Sequence, residues 1–138
     1  MQNTTLIDSG PLIALFDKND KYHKQMLTFM ESYKGELVTT WAVMTEVSHM
    51  LDFNLKVQLA FLKWIERGAV SIYDMKQSDL GTIIPMMTKY TNVPMDLADS
   101  SLMFVAQKEN ISNIISIDSD FDIYRTLKRE FLVNLFRV

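Results

Sequence analysis

The sequence predicts an α/β fold in which a mostly parallel sheet lies between two layers of helices, a three-layer α/β/α sandwich. Short apolar segments alternate with amphipathic helical patterns along most of the chain. Alternation of this kind favours parallel strands joined by helices that cover both faces of a sheet. Acidic residues follow two of the predicted strands, at Asp8 and at Asp118. Ligands bind outside the carboxyl ends of strands in such sheets, so this edge is the first place to seek a site.

Five segments have the length and apolar character of short strands. They are residues 4–7, 36–40, 69–73, 114–117 and 131–138. The first ends at Asp8, and we expect Ser9 and Gly10 to form a turn after it. The fourth is almost wholly apolar, as expected of a strand that is buried on both faces.

The segments between the strands have apolar residues at helical spacing. The predicted helices are 11–16, 22–33, 41–51, 55–67, 77–90 and a central helix from Asp96 to the polar break at Lys108. Pro11 suits the first position of its helix, and Thr40 is a plausible N-cap of the third. Gly35 and Gly68 are expected to end helices, and Pro85 is a weak point within the fifth.

Composition limits the class of protein. With 138 residues, 48% of them hydrophobic and 22% charged, residues 1–138 are expected to form a single soluble domain. The absence of cysteine excludes disulfides and fits a cytoplasmic location. Two histidines make a zinc site a poor prediction, and no apolar run is long enough to span a membrane. The net charge of −3 argues against broad, charge-driven binding of nucleic acid.

Acidic residues recur where the predicted elements begin and end. They are Asp8, Glu46, Asp96, Asp99, Asp118 and Asp120. If the first and fourth strands are neighbours, these carboxylates meet at one edge of the sheet. Carboxylates so close together repel, and a divalent cation relieves that repulsion. Mg²⁺ and Mn²⁺ prefer oxygen ligands and assist hydrolysis of phosphodiesters, which makes that reaction the leading interpretation.

Each acid also has a purely structural interpretation. Asp96 is a natural N-cap, and Asp99 would then oppose the helix dipole in the first turn. Asp8 suits a turn, and the acids from Asp118 onward suit a cap and turn cluster. Glu46 on a helix is ordinarily a solvated charge. Apolar neighbours around Glu46 nevertheless predict that it is half buried.

Four segments together resemble those of the PIN domain, the family of the VapC toxins of bacterial toxin–antitoxin pairs. They are LIDSGPLIALFDKNDKYHKQ, TTWAVMTEVSHML, PMDLADSSLMFVAQ and IISIDSDFDIYR. The resemblance lies in their order and spacing, and it covers essentially the whole chain. It implies a parallel α/β/α sandwich and a metal-dependent endoribonuclease that uses Mg²⁺ or Mn²⁺.

The resemblance also implies roles for individual residues. Asp8, Glu46, Asp99 and Asp118 match the acids of the family by position, with Asp120 as a close alternative to the last and Asp96 as an additional acid at the edge of the site. Ser9 and Ser116 stand where the family places hydroxyls that hold the acids. The implied reaction is in-line attack on an RNA phosphodiester by water activated at the metal, with Glu46 orienting or deprotonating that water.

An acidic pocket needs local cations to receive RNA. Arg125, Lys128 and Arg129 follow the last acids in the sequence, and we expect them to contact the RNA backbone. The family resemblance further implies a homodimer and a small antitoxin protein as partners. Candidate aromatic residues for such contacts are Trp41, Phe53, Phe61 and Trp64, and we expect at least half of them to be core residues instead.

Three alternatives remain open from the sequence. A housekeeping PIN ribonuclease without an antitoxin would have the same acids. A non-catalytic PIN-like interaction module would not need all of them. A phosphoryl-accepting regulator also gathers acids at strand ends, but its usual lysine has no clear counterpart here.

Overall fold

A computed structural model describes residues 3–137, which contain one five-stranded sheet. The strands are β1 (Thr4–Ile7), β2 (Glu36–Thr39), β3 (Ser71–Ile72), β4 (Asn113–Ile115) and β5 (Val133–Asn134). Their order across the sheet is β3-β2-β1-β4-β5, and every pairing is parallel. β1 and β4 are therefore neighbours, as the convergence of the acids requires, with Ile7 opposite Ile115.

Helices cover both faces of this sheet and complete a three-layer α/β/α sandwich. They are α1 (Ser9–Phe16), α2 (His23–Ser32), α3 (Trp41–Met50), α4 (Leu55–Glu66), α5 (Leu80–Thr88) and α6 (Leu97–Glu109). Short 3-10 turns lie at Gln77–Asp79 and Ser119–Asp122. The predicted helices are present with small shifts at their ends, and Pro85 lies inside α5.

The middle of the sheet is the core of the molecule. All four residues of β1 are buried, and Ile114 and Ile115 of β4 are fully buried beside them. α6 packs a long buried stretch, residues 100–106, against this core. Burial on both faces explains why apolar residues are consecutive rather than alternating at Leu6-Ile7 of β1 and at Ile114-Ile115 of β4.

The predicted turn at Ser9 and Gly10 is wrong, because both residues belong to the first turn of α1. Asp8 has an extended backbone and occupies the N-cap position, so the chain passes from strand to helix without a loop. Asp8 is the one residue between them, and its side chain makes no capping hydrogen bond to the helix. That carboxylate is therefore available at the edge of the sheet.

Strands β3, β4 and β5 are shorter than predicted. β4 ends at Ile115 because the next amide, that of Ser116, donates to the side chain of Asn134 rather than to a backbone carbonyl. β5 lies at the edge of the sheet and pairs only with β4. Its predicted length to Val138 is not seen at residues 131–132 or 135–137, and Val138 itself lies outside the described residues.

Candidate active site

Three acids from separate elements converge at the carboxyl edge of the sheet. One carboxylate oxygen from each of Asp8, Asp99 and Asp118 can be chosen so that all lie within 4.8 Å of one another. Asp8 follows β1, Asp118 follows β4 by three residues, and Asp99 lies in the first turn of α6. The sequence predicted all three for the site, and the pairing of β1 with β4 brings two of them together.

Asp8 is the buried member of the cluster, with 4% of its surface exposed. Burial raises the pKa of this carboxyl from 3.8 to about 6, and the charges of Asp118 and Glu46 add to the rise. The backbone N–H of Ser9 and the hydroxyl of Ser116 oppose it. Ser116 donates from Oγ to Asp8 Oδ2 at 3.0 Å, so this serine contacts the acid as the sequence suggested.

Asp99 and Asp96 form a reciprocal capping box at the start of α6. The Asp99 amide donates to Asp96 Oδ1 at 2.8 Å, and the Asp96 amide donates to Asp99 Oδ2 at 3.4 Å. Partial burial and the charges of Asp96 and Asp8 raise the pKa of the Asp99 carboxyl to about 7. Asp96 is exposed and is not part of the three-acid cluster, so its capping role explains its position without a metal.

Asp118, rather than Asp120, contributes to the cluster. Asp118 occupies the N-cap position of the 3-10 turn, and its Oδ1 accepts from the Asp120 amide at 2.9 Å. Its own amide donates to Ser116 Oγ at 2.9 Å. Asp120 lies two residues further along the chain, within the 3-10 turn, where its negative charge helps to raise the pKa of the Tyr124 phenol. Metal binding by Asp120 and by Asp96 stays a prediction that this placement does not favour.

Glu46 lies on α3 and is exposed, so the prediction that it is half buried is wrong. Its apolar neighbours Val43, Met44 and Val47 face the core, whereas Glu46 points away from it. The carboxylate is close enough to Asp8 to raise the pKa of that acid. Glu46 is therefore an exposed charge at the rim of the acidic cluster, and it does not belong to the group of Asp8, Asp99 and Asp118 that could share one ion.

The three converging acids fit a divalent cation. Hard cations such as Mg²⁺ and Mn²⁺ take carboxylate oxygens from spatially close ligands. The pKa values of Asp8 and Asp99 are raised because burial and the neighbouring carboxylates make their ionised forms unfavourable. A bound cation would offset that cost, and Asp8, Asp99 and Asp118 are the residues that would hold it.

The predicted RNA-binding residues differ in their surroundings. Arg125 is at the end of the 3-10 turn, where Nη1 donates to the carbonyls of Asp122, Ile123 and Tyr124 and the guanidinium stacks on Phe131. Much of its hydrogen-bonding capacity therefore serves the local backbone.

Lys128 and Arg129 lie beside the end of α6, whereas Asp99 lies in its first turn, so RNA contact by these two residues stays a prediction that their placement does not favour. After Tyr124 the chain turns back along α6, and the Leu127 amide donates to Gln107 Oε1. Gln107 is about 12 Å along the helix axis from Asp99, at 1.5 Å per residue. Lys128 lies beside Lys108, and Arg129 beside Asn110, at the opposite end of α6.

Several residues around the acids were not singled out from the sequence. Tyr124 is buried, and its hydroxyl lies 2.9 Å from the Pro94 carbonyl and 3.4 Å from Asp99 Oδ2. Burial and the nearby acids raise the pKa of this phenol. Asn134 of β5 holds the backbone of Ser116. The one signal for Asn134 in the sequence is a polar residue in the middle of an apolar segment.

The four aromatic candidates for partner contacts divide into two pairs. Trp41 and Phe53 are exposed by 65% and 58%. Phe61 is fully buried, and Trp64 packs edge-on against Phe16. Phe61 is therefore a core residue, and Trp64 is partly buried against the core. Among the helices of residues 3–137, none is both long enough and apolar enough to cross a membrane.

Comparison with known proteins identifies relatives of one kind, although no protein-family model matches the chain. The chain is 23% identical over 115 residues to ribonuclease VapC26 of Mycobacterium tuberculosis, covering 82% of this chain and 85% of that protein. The crystal structure of M. tuberculosis VapC20, a Sarcin-Ricin loop cleaving toxin, superposes with a TM-score of 0.78 at 16% identity, covering 86% and 93% of the two chains. VapBC2 from Rickettsia felis, bound to a DNA fragment from its promoter, gives 0.67 at 12% identity, covering 96% and 99%. These likenesses confirm the predicted resemblance to PIN-domain VapC proteins and the predicted fold.

Proposed function

We propose that this chain is a VapC-type endoribonuclease, the toxin of a type II toxin–antitoxin pair, and that it hydrolyses RNA phosphodiester bonds with Mg²⁺ or Mn²⁺. The convergence of Asp8, Asp99 and Asp118 at the carboxyl edge of β1 and β4 carries the proposal. The likeness to ribonuclease VapC26 supports the choice of RNA as substrate. We place its action in the cytoplasm as one domain, residues 1–138, as the composition suggested.

In this proposal the acids divide into three cation ligands and one proton acceptor. Asp8, Asp99 and Asp118 bind the cation, and the Ser116 hydroxyl keeps Asp8 Oδ2 in place. A divalent cation, when bound, polarises a phosphoryl oxygen and lowers the pKa of a coordinated water. Glu46, exposed at the rim and outside the cluster, accepts the proton from the attacking water on its carboxylate.

Contacts with the RNA backbone fall to residues near the 3-10 turn. Arg125 keeps N–H groups beyond the Nη1 that serves the local carbonyls, and these are suited to a phosphate. Lys128 and Arg129 are left out of this role because they lie at the other end of α6. Ser9, whose amide acts on Asp8, completes the set of supporting residues.

We also propose an antitoxin and a second copy of the chain as protein partners. The similar solved structures include toxin–antitoxin assemblies, which supports the antitoxin as a partner. Trp41 and Phe53 remain candidates for such contacts because they expose large apolar surfaces. A gene for a small DNA-binding protein beside this one would support the toxin assignment over a housekeeping ribonuclease.

The first experiment is thermal melting of the purified chain over a range of Mn²⁺ and Mg²⁺ concentrations. We expect either cation to stabilise the wild type by RT ln(1 + [L]/Kd), about 2.7 kcal/mol at a hundredfold excess over Kd. Asp99→Asn should lose this stabilisation. Asp96→Asn is the matched control, because asparagine caps a helix as well as aspartate and Asp96 lies outside the cluster.

Cleavage of RNA is measured with the same three proteins. The wild type should cut RNA with Mn²⁺ present and stop with EDTA, and Asp99→Asn prepared identically should show no cleavage. Equal cation stabilisation of the wild type and Asp99→Asn would refute the site. A wild type that binds the cation but cuts no RNA would instead favour an interaction module.

A further inference from the structure

The side chain of Asn134 replaces the backbone partner that Ser116 would have in a longer strand. Asn134 Nδ2 donates to the Ser116 carbonyl at 2.8 Å, and the Ser116 amide donates to Asn134 Oδ1 at 3.1 Å. The Phe136 amide also donates to Oδ1, at 3.1 Å. One amide side chain thus satisfies both backbone groups of Ser116 and ties them to the segment that follows β5.

Ser116, held in this way, makes hydrogen bonds to two of the converging acids, Asp8 and Asp118. It is buried, with 1% of its surface exposed, and its Oγ donates to Asp8 Oδ2 while accepting from the Asp118 amide. The hydroxyl can serve both acids only if the Ser116 backbone holds its position and orientation. Asn134 is the residue of β5 that fixes that backbone.

We propose that Asn134 is a positioning residue for the acidic cluster, acting through Ser116 on Asp8 and Asp118. The inference deepens the proposed function and rests on it for its catalytic meaning. Partners one step removed from metal ligands set ligand orientation, and their loss ordinarily lowers metal affinity or activity 10- to 100-fold. The amide side chain supplies from two separate atoms, Nδ2 and Oδ1, the donor and the acceptor that the Ser116 backbone needs.

The test compares Asn134→Leu, which has a similar volume and no hydrogen-bonding group, with Leu132→Ala. Leu132 is buried two residues before Asn134, and its side chain has no hydrogen-bonding group, so this control is expected to lower stability alone. Mn²⁺ affinity is measured by calorimetric titration below the melting temperature of each variant. We expect Asn134→Leu to weaken Mn²⁺ binding 10- to 100-fold and Leu132→Ala to leave it within about twofold.

A double mutant determines whether Asn134 acts through Ser116. If it does, Asn134→Leu should add little to the loss of Mn²⁺ affinity that Ser116→Ala causes alone. Ser116→Ala has already removed the hydroxyl through which Asn134 would act on Asp8 and Asp118. Fully additive losses would overturn the proposal. So would an Asn134→Leu protein whose affinity equals that of Leu132→Ala.

A metal-free measurement separates this inference from the proposed function. The Asp118 amide donates to Ser116 Oγ, so its hydrogen exchange reports whether the serine is held in place. Exchange at Asp118 should quicken in Asn134→Leu relative to Leu132→Ala, and equal rates would overturn the positioning role. A wild type that binds no cation would refute the proposed function, and this exchange comparison would still decide the role of Asn134.

Discussion

The hydroxyls of Thr40 and Ser101 lie 2.7 Å apart in the core and join the beginnings of two helices. Ser101 Oγ donates to the Ala98 carbonyl, so the proton between the two hydroxyls comes from Thr40. Thr40 Oγ1 in turn accepts from the Val43 amide as the N-cap of α3. This contact sets α3, which carries Glu46, against the first turns of α6, which carry Asp99.

Removing the Thr40 hydroxyl should destabilise the fold. Thr40→Val loses the helix cap and leaves Ser101 Oγ without its buried donor, which together cost about 1–3 kcal/mol in the free energy of unfolding. Thr40→Ser keeps the hydroxyl and should cost less than half as much. Urea unfolding of the three proteins measures this, and equal losses for valine and serine would assign the effect to packing of the methyl group.

How far the sequence predicts the site depends on whether the controlling contacts are local. Asp8 follows from the end of a buried strand, and Asp99 from the spacing of a capping box. The approach of Asp118 to Asp8 required only that β1 and β4 be neighbours, which the alternation of strands and helices makes a natural arrangement.

Contacts between distant segments were beyond the reach of the sequence. The choice of Asp118 over Asp120 depends on a 3-10 turn whose direction no periodicity encodes. The position of Lys128 depends on how the chain returns along α6, where the Leu127 amide donates to Gln107 Oε1. The role of Asn134 depends on the register of a two-residue edge strand, which short apolar segments specify weakly.

Neutralising Asp8 should stabilise the protein at neutral pH when no cation is present. Its pKa is raised from 3.8 to about 6 in the folded chain, so the folded state binds more protons than the unfolded state between these values. The free energy of unfolding therefore falls as the pH rises from about 4 to about 6, and the penalty is complete above that. It amounts to about 3 kcal/mol at 1.36 kcal/mol per pH unit.

Asp8→Asn removes this penalty. In EDTA the variant should exceed the wild type in stability above pH 6 and match it near pH 4, as measured by urea unfolding across that range. Asp17→Asn, a change at a partly exposed carboxylate that follows α1 and accepts from the Asn19 amide, is the control. A wild type whose stability does not decline between pH 4 and pH 6 would contradict the buried, raised-pKa state of Asp8.

Truncation to alanine should lower the stability of the fold strongly at Phe61 and hardly at all at Trp41. Phe61 is fully buried and packs edge-on against Phe16, so Phe61→Ala should cost about 3–5 kcal/mol. Trp41 is 65% exposed at the start of α3, and Trp41→Ala should change stability by less than about 0.5 kcal/mol. Thermal unfolding of both variants checks this. A large loss for Trp41→Ala would make it a core residue and remove it from the candidate partner surface.

Glu46 should be separable from the acids that bind the cation. It is exposed on α3 and lies outside the group of oxygens that converge within 4.8 Å. Glu46→Gln should therefore retain Mn²⁺ binding within a few-fold, while losing RNA cleavage by about 10²–10⁴-fold if its carboxylate accepts the proton from the attacking water. Glu66→Gln, at the end of α4, is the matched control for a glutamate on an unrelated helix. Loss of Mn²⁺ binding in Glu46→Gln would make Glu46 a ligand, whereas unchanged cleavage would move the proton acceptor to another group.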